Sequence, residues 1–131
     1  MSNVKNSYYY KMLKVWQKAM KLVIQVYKAT KNFPKHEQYG LISQMRRSVI
    51  SIPSNIAEGH GRKSDKEIVR FLDIARGSIF ELDTQIEISR QLHFLNTQEF
   101  NNIFNLLDET SRMLSGLRNS KLKTNEVVSY E

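Results

Sequence analysis

Lysines near the start of the chain are the residues whose type and spacing favour one kind of chemistry most clearly. The first 35 residues carry eight lysines and no acidic residue, whereas the remaining residues carry twelve basic and thirteen acidic residues. Ammonium groups presented along a helix neutralise phosphates, so this asymmetry favours a polyanionic partner such as RNA or DNA. The predicted nucleic-acid-binding residues are Lys11, Lys14, Lys18, Lys21, Lys28, Arg62 and Lys63.

Side chains suited to catalysis or metal binding form no comparable pattern. The three histidines, His36, His60 and His93, are far apart in sequence and match no helical ligand spacing typical of metal sites. Three serines between residues 48 and 54 recur on one predicted helix, but no histidine lies within reach of them in the sequence. The chain has no cysteine, which excludes thiol catalysis and cysteine-based metal sites. We therefore predict no enzymatic activity, no cofactor and no metal site.

Four helices must position the lysines, because apolar residues recur at three- and four-residue steps in four blocks. The predicted bounds are 11–32, 36–59, 65–93 and 97–118, followed by a polar, disordered tail over 119–131. Four amphipathic helices joined by short loops bury their apolar stripes best as an antiparallel up-down bundle. The predicted fold is therefore all-α, a single four-helix-bundle domain spanning residues 1–131.

The first predicted helix has more apolar surface than one bundle core needs. Its predicted core residues are Leu13, Trp16, Met20, Val23 and Tyr27, spaced 3-4-3-4. The apolar arc continues beyond them, so we predict a homo-oligomer whose interface buries Val15, Leu22 and Val26 beside the lysines. In the alternative, other parts of the same chain, such as the three tyrosines at 8–10, cover this arc.

Gly59 and Ser64 mark a predicted joint between helices, and Gly77 lies within the third predicted helix. Gly59 is expected to adopt a left-handed conformation just past the second helix, and Ser64 to cap the third. Gly77 interrupts the third helix, where glycine costs up to ~1 kcal/mol relative to alanine, so a close approach of two helices is expected there.

A second prediction concerns Arg46 and Arg47, which are expected to pair with an acid of the third helix, Glu81 or Asp83.

Several short motifs, taken together, resemble one protein family. They are Val15-Trp16-Gln17-Lys18-Ala19, Phe33-Pro34, Tyr39-Gly40-Leu41, Gln44-Met45-Arg46-Arg47, the stretch 51–62 and the stretch 70–82. Over residues 13–117 the chain resembles the four-helix-bundle proteins encoded in intervening sequences of bacterial large-subunit rRNA genes, which are ribosomal-protein-like. The resemblance implies assembly as a homopentameric barrel. A related accessory protein of diversity-generating retroelements is similar in fold, with a basic surface that binds RNA and reverse transcriptase.

Charge and resemblance together predict a non-catalytic homopentamer that acts as a nucleic-acid-binding or adaptor protein. RNA is the expected ligand, bound without sequence preference because no base-reading helix stands out. The alternative is a scaffold that recruits a protein partner and binds no nucleic acid. No apolar stretch reaches the roughly 20 residues that a membrane-spanning helix needs, so we expect a soluble, cytoplasmic protein with no membrane partner.

Overall fold

Residues 8–130 form four α-helices, as the sequence predicted. The computed structural model describes residues 8–130, with side chains described for residues 8–122. The helices are α1 (Lys14–Thr30), α2 (Ser43–His60), α3 (Asp65–Gln91) and α4 (Thr97–Tyr130). A 3-10 turn, Tyr9–Met12, precedes α1, and a 3-10 turn and a π-helical turn, Lys35–Glu37 and Gln38–Ile42, precede α2. Residues 8–130 include no β-strand.

The helices pack around one contiguous core. Contacts join α1 to α2, α2 to α3, α3 to α4, and α4 back to α1. The predicted core stripes of α2, α3 and α4 are confirmed, because nearly all of their residues are buried. The buried members are Met45, Val49, Ile52 and Ile56 of α2, Leu72, Ala75, Ile79, Leu82 and Ile86 of α3, and Ile103, Leu107, Thr110 and Leu114 of α4.

The predicted core stripe of α1 is wrong. The residues assigned to an oligomer interface, Val15, Leu22 and Val26, lie in the core of the single chain with at most 5% of their surface exposed. Trp16 and Tyr27, predicted as core, are half-buried at its edge. Both stripes have apolar residues at helical spacing, so periodicity could not distinguish the face that turns inward.

Two helix ends differ from the predicted bounds by more than three residues. The second helix was expected to start at residue 36, but the backbone at Gly40 is non-helical (φ −111°, ψ −112°), and α2 begins only at Ser43. The fourth was expected to end at 118 and give way to a disordered tail, yet α4 continues to Tyr130. The sequence after residue 118 becomes polar without a proline or glycine, and polarity alone does not end a helix.

Side-chain caps fix the starts of α3 and α4. Ser64 accepts a hydrogen bond from the backbone amide of Glu67 at 3.2 Å, which confirms the predicted cap of α3. At α4, Asn96 accepts from the amide of Glu99 at 2.8 Å, and the Glu99 carboxylate accepts from the amide of Asn96 at 3.0 Å. This reciprocal arrangement satisfies two amides that would otherwise lack partners.

The two glycine predictions are both wrong, and the close approach of helices expected at Gly77 is found at Gly59 instead. Gly59 lies inside α2 without a positive φ, and a Cβ built there would approach the Phe71 Cβ to 3.1 Å and the Ile68 carbonyl oxygen to 3.4 Å. Gly77 is exposed, and a Cβ there would meet no atom within 4 Å. The close approach of helices therefore needs Gly59, where α2 passes the first turns of α3.

Arg46 does not pair with an acid of α3. Its Nε donates to the Thr30 hydroxyl at 3.0 Å, and its guanidinium lies 4.4 Å from the centre of the Tyr27 ring. Thr30 itself donates to the carbonyl oxygen of Val26 at 2.8 Å. Arg46 therefore ties α2 to the last turn of α1, where a cation also interacts favourably with the helix dipole.

Candidate nucleic-acid interface

The lysines of α1 form a row on the outside of the bundle. Lys14, Lys21 and Lys28 are exposed and follow one another at seven-residue intervals, so the row extends over about 21 Å of helix. None of the three takes part in an ion pair with a described side chain. These ammonium groups are therefore exposed to solvent, and their predicted role in binding nucleic acid stays a prediction.

One predicted lysine is already engaged within the chain. Lys18 donates to the Glu109 carboxylate of α4 at 2.7 Å, and its side chain is only 23% exposed. Lys11 lies in the 3-10 turn before α1, with its ammonium 5.7 Å from the centre of the Tyr8 ring. Lys18 is therefore removed from the predicted set, because it joins α1 to α4.

The corner after α2 brings a second basic segment to the end of the bundle where α1 begins. Tyr10, before α1, and Ala57, near the end of α2, line one cavity, so the start of α1 and the end of α2 are adjacent. Arg62 donates to Glu58 at 2.9 Å and lies 4.5 Å from the centre of the Phe71 ring. Lys63 is exposed and has no ion pair with a described side chain. Lys63 is thus the accessible cation of this corner, whereas Arg62 is partly neutralised.

An apolar groove between α1 and α2 lies beside the lysine row. Two adjoining cavities, of about 290 and 410 Å³, form it. Ile24 and Ile50, on its two sides, are 52% and 43% exposed. The described lining residues include no acid, and Lys28 and Lys31 border one end. The lining residues from α1 and α2 are Trp16, Met20, Val23, Ile24, Tyr27, Ile50, Pro53, Ser54 and Ala57.

Ion pairs hold several charged groups of α3 and α4. Hydrogen bonds from Arg90 and then Gln91 hold the pKa of the Glu87 carboxyl below its ordinary value. The bond from Arg118 to Asp73 raises the pKa of the Arg118 guanidinium and joins α4 to α3. Four of the seven described basic groups on these two helices have an acidic partner, namely Arg90, Arg112, Arg118 and Lys121, whereas Lys66, Arg70 and Arg76 form no ion pair with a described side chain.

The described residues include neither a metal-binding group of side chains nor a membrane-spanning helix. No three histidine, cysteine, aspartate or glutamate side chains among those described are grouped closely enough to hold a metal ion. No described helix is both long and apolar enough to cross a membrane. One serine of α2 joins that helix to α3, since the Ser78 hydroxyl donates to the Ser51 hydroxyl at 2.8 Å.

Comparison with known proteins agrees with this architecture. A crystal structure of a protein of unknown function from the S23 ribosomal protein family of Bacteroides thetaiotaomicron VPI-5482 is similar, with a TM-score of 0.74 and 19% sequence identity. The similarity covers 80% of this chain and 95% of that one. A search among curated proteins found no match. The sequence model for 23S rRNA-intervening sequence proteins matches residues 11–116, most of the chain. The chain therefore belongs to the family of 23S rRNA-intervening sequence proteins.

Proposed function

We propose that this protein is a non-catalytic, cytoplasmic homo-oligomer, a homopentamer of antiparallel up-down bundles, that binds RNA through the lysine row of α1. The single observation that carries the proposal is the lysine row itself. Lys14, Lys21 and Lys28 are exposed and unpaired on one helix, while Lys18 between them is neutralised by Glu109. Unpaired cations in a row favour a polyanion with regularly spaced charges.

The up-down arrangement of the helices is supported by the contacts between loops. Phe33 follows α1 and Phe94 follows α3, and their ring centres are 5.5 Å apart. The ends of α1 and α3 thus lie at one end of the bundle, as expected if alternate helices run in the same direction. Short connections then return α2 and α4 the other way.

Assembly follows from the apolar groove rather than from the residues that the sequence suggested. Trp16, Ile24 and Ile50 present apolar surface that the single chain leaves open. Covering it with a second copy removes that surface from water and repeats the lysine row around the assembly. A repeated row contacts more phosphates than one copy can, which raises affinity for RNA without any new contact within a protomer.

The salt dependence of RNA binding tests this proposal. Affinity for a fluorescent single-stranded RNA should fall steeply as salt rises, with a slope of log K against log salt of about −0.7 for each phosphate contacted. The double variant Lys14→Gln and Lys21→Gln should flatten that slope by more than one unit. The control Lys66→Gln with Arg112→Gln removes the same charge from α3 and α4 and should leave the slope near that of the unmodified protein. Equal slopes for the two double variants would contradict the lysine row as the binding site.

The apolar groove also favours a second candidate function, a scaffold that recruits another protein. In that case the groove holds a partner segment, and the lysines contribute to solubility. Binding of RNA would then be weak and independent of Lys14 and Lys21. The same titration distinguishes the two functions, because only the RNA-binding protein requires the lysine row for its salt dependence.

A further inference from the structure

A polar cavity of about 380 Å³ lies where the start of α2 faces the middle of α3. It is separate from the lysine row and from the apolar groove. The residues that matter for its chemistry are Tyr39, Gln44, Arg47, Glu81 and Gln85. An aromatic ring, a cation, a carboxylate and two amides in one cavity can recognise a ligand that has a flat ring, hydrogen-bond donors and an anionic group.

Gln85 carries the most direct sign of a missing partner. Its side chain is 92% buried, with 8% exposed, and its Oε1 atom has no hydrogen-bond partner among the described residues. Buried carbonyl oxygens in folded proteins nearly always accept a hydrogen bond, since an unpaired one loses its interaction with water without replacement. This atom has less than 1 Å² of accessible surface, so the amide has to rotate toward the cavity before the N–H of a ligand can donate to it.

Arg47 and Glu81 line the same cavity without pairing with each other. The sequence predicted an ion pair between Arg47 and an acid of α3, and none is formed among the described side chains. Most described acids do have a basic or capping partner, so an unpaired carboxylate beside an unpaired guanidinium stands out. The carboxylate accepts hydrogen bonds only, and the guanidinium only donates them. Each group therefore suits a different part of one ligand.

Tyr39 provides a flat apolar surface at the mouth of the cavity. Its side chain is 91% exposed, and it stands immediately before the break in the helix at Gly40. Tyrosine rings exposed in this way are platforms on which unpaired bases stack. The break at Gly40 places the ring outside the regular helix, beside the cavity rather than along α2.

We infer that this cavity binds a guanine nucleotide, presented as an unpaired residue of RNA, with the base on Tyr39 and its donor edge toward Glu81 and Gln85. This inference rests on the proposed RNA binding and names its base preference. Guanine has N1–H and N2–H₂ donors side by side, which match a carboxylate and an amide oxygen. Adenine, cytosine and uracil offer fewer donors on that edge. Arg47 takes the phosphate.

The two modes of binding then have different roles. The lysine row contacts phosphates and gives affinity that is independent of sequence. The cavity adds discrimination at one nucleotide. Removing lysines should weaken binding of every RNA in the same proportion, and removing Glu81 should affect only RNA that contains guanine.

The test compares fluorescent uridine octamers that carry a single central guanine, inosine or adenine, measured by anisotropy with the full-length chain. The guanine octamer should bind at least about fivefold more tightly than the adenine octamer, as a good paired contact to a base discriminates. Inosine, which lacks the N2 donor, should lie between them. Equal affinities for guanine and adenine would overturn the inference.

Variants on α3 show whether the preference for guanine depends on this cavity. Glu81→Gln and Gln85→Leu should each abolish the preference for guanine, whereas Asp83→Asn should retain it. Asp83 is also an exposed acid without an ion pair, but it does not line the cavity. Gln85→Leu should leave the melting temperature unchanged or raise it, since it removes an unpaired buried oxygen. A preference that survives both Glu81→Gln and Gln85→Leu would exclude this cavity.

A titration with guanosine monophosphate, followed by NMR of the labelled protein, distinguishes a free nucleotide from a nucleotide within RNA as the ligand. Guanosine monophosphate should bind more weakly than the octamer but more tightly than adenosine monophosphate. If it binds as tightly as the octamer, the ligand is a free nucleotide and the RNA-borne form is wrong. If octamers of every sequence fail to bind in a salt-dependent way, the proposed RNA function fails, and the nucleotide titration still reports on the cavity.

Discussion

The two apolar faces of α1 have similar composition and opposite roles. On the inner face, Leu22 and Val26 are completely buried in the core, where α1 contacts α2 and α4. On the outer face, Ile24 is 52% exposed and Trp16 and Tyr27 are half-buried in an open groove. The inner face stabilises the single chain, whereas the outer face is available to a second molecule. Side chains of the same kind, only two residues apart, thus support folding in one case and, in the proposed oligomer, assembly in the other.

The largest expected effect on stability comes from truncating Leu22 on the inner face of α1. Truncating Ile24 on the outer face gives the comparison. Leu22→Ala should lower the free energy of unfolding by about 2–5 kcal/mol, because it leaves a cavity in a fully packed core. Ile24→Ala should have an effect that depends on protein concentration, since it acts through assembly. Urea denaturation at two protein concentrations measures both. A loss for Ile24→Ala as large as that for Leu22→Ala at every concentration would remove the distinction between the faces.

Arg46 and Arg47 extend the comparison to α2. Arg46 contacts Thr30 and Tyr27, whereas Arg47 forms no ion pair with a described side chain. Arg46→Ala should cost roughly 1.5 kcal/mol, because it removes a charged hydrogen bond to Thr30 and the contact with Tyr27. Arg47→Ala should change stability by less than about 0.5 kcal/mol, as is usual for exposed residues. Thermal unfolding followed by circular dichroism measures both. Equal losses would mean that the Thr30 contact contributes nothing.

The two glycines give a smaller effect of opposite sign. Gly77→Ala should raise stability by up to ~1 kcal/mol, since the position is helical and open. Gly59→Ala should lower it by about 1 kcal/mol, because the new Cβ would press against Phe71 and Ile68. The melting temperatures of the two variants should lie on either side of that of the unmodified protein. Stabilisation by Gly59→Ala would show that α3 can move away at no cost.

Much of the fold could be predicted from the sequence, because α2, α3 and α4 each have a single apolar stripe. Ser64 was a clear start signal for α3, and its cap is formed as expected. The orientation of α1 could not be predicted, since its apolar arc is wide enough to contain two stripes. The end of α4 was missed because the signal used was polarity rather than a residue that stops a helix.

The candidate sites depended on contacts between residues far apart in sequence. Lys18 resembles Lys14 and Lys21 in the sequence, and only the position of Glu109 on α4 distinguishes it. The cavity near Tyr39 depends on Gln85, a polar residue buried in a helix whose other buried side chains are mostly apolar. Such a residue is a usable signal, although periodicity alone does not say which partner it lacks.

Light scattering coupled to size exclusion measures the mass in solution and tests the central claim that the outer face of α1 is an assembly surface. At micromolar concentration the unmodified chain should have a mass well above 15.4 kDa, five times that value for the proposed pentamer. The groove variant Ile24→Asp with Ile50→Asp should elute as a folded species of 15.4 kDa. The account would be contradicted if the unmodified chain remained monomeric at this concentration. It would also be contradicted if the groove variant still assembled.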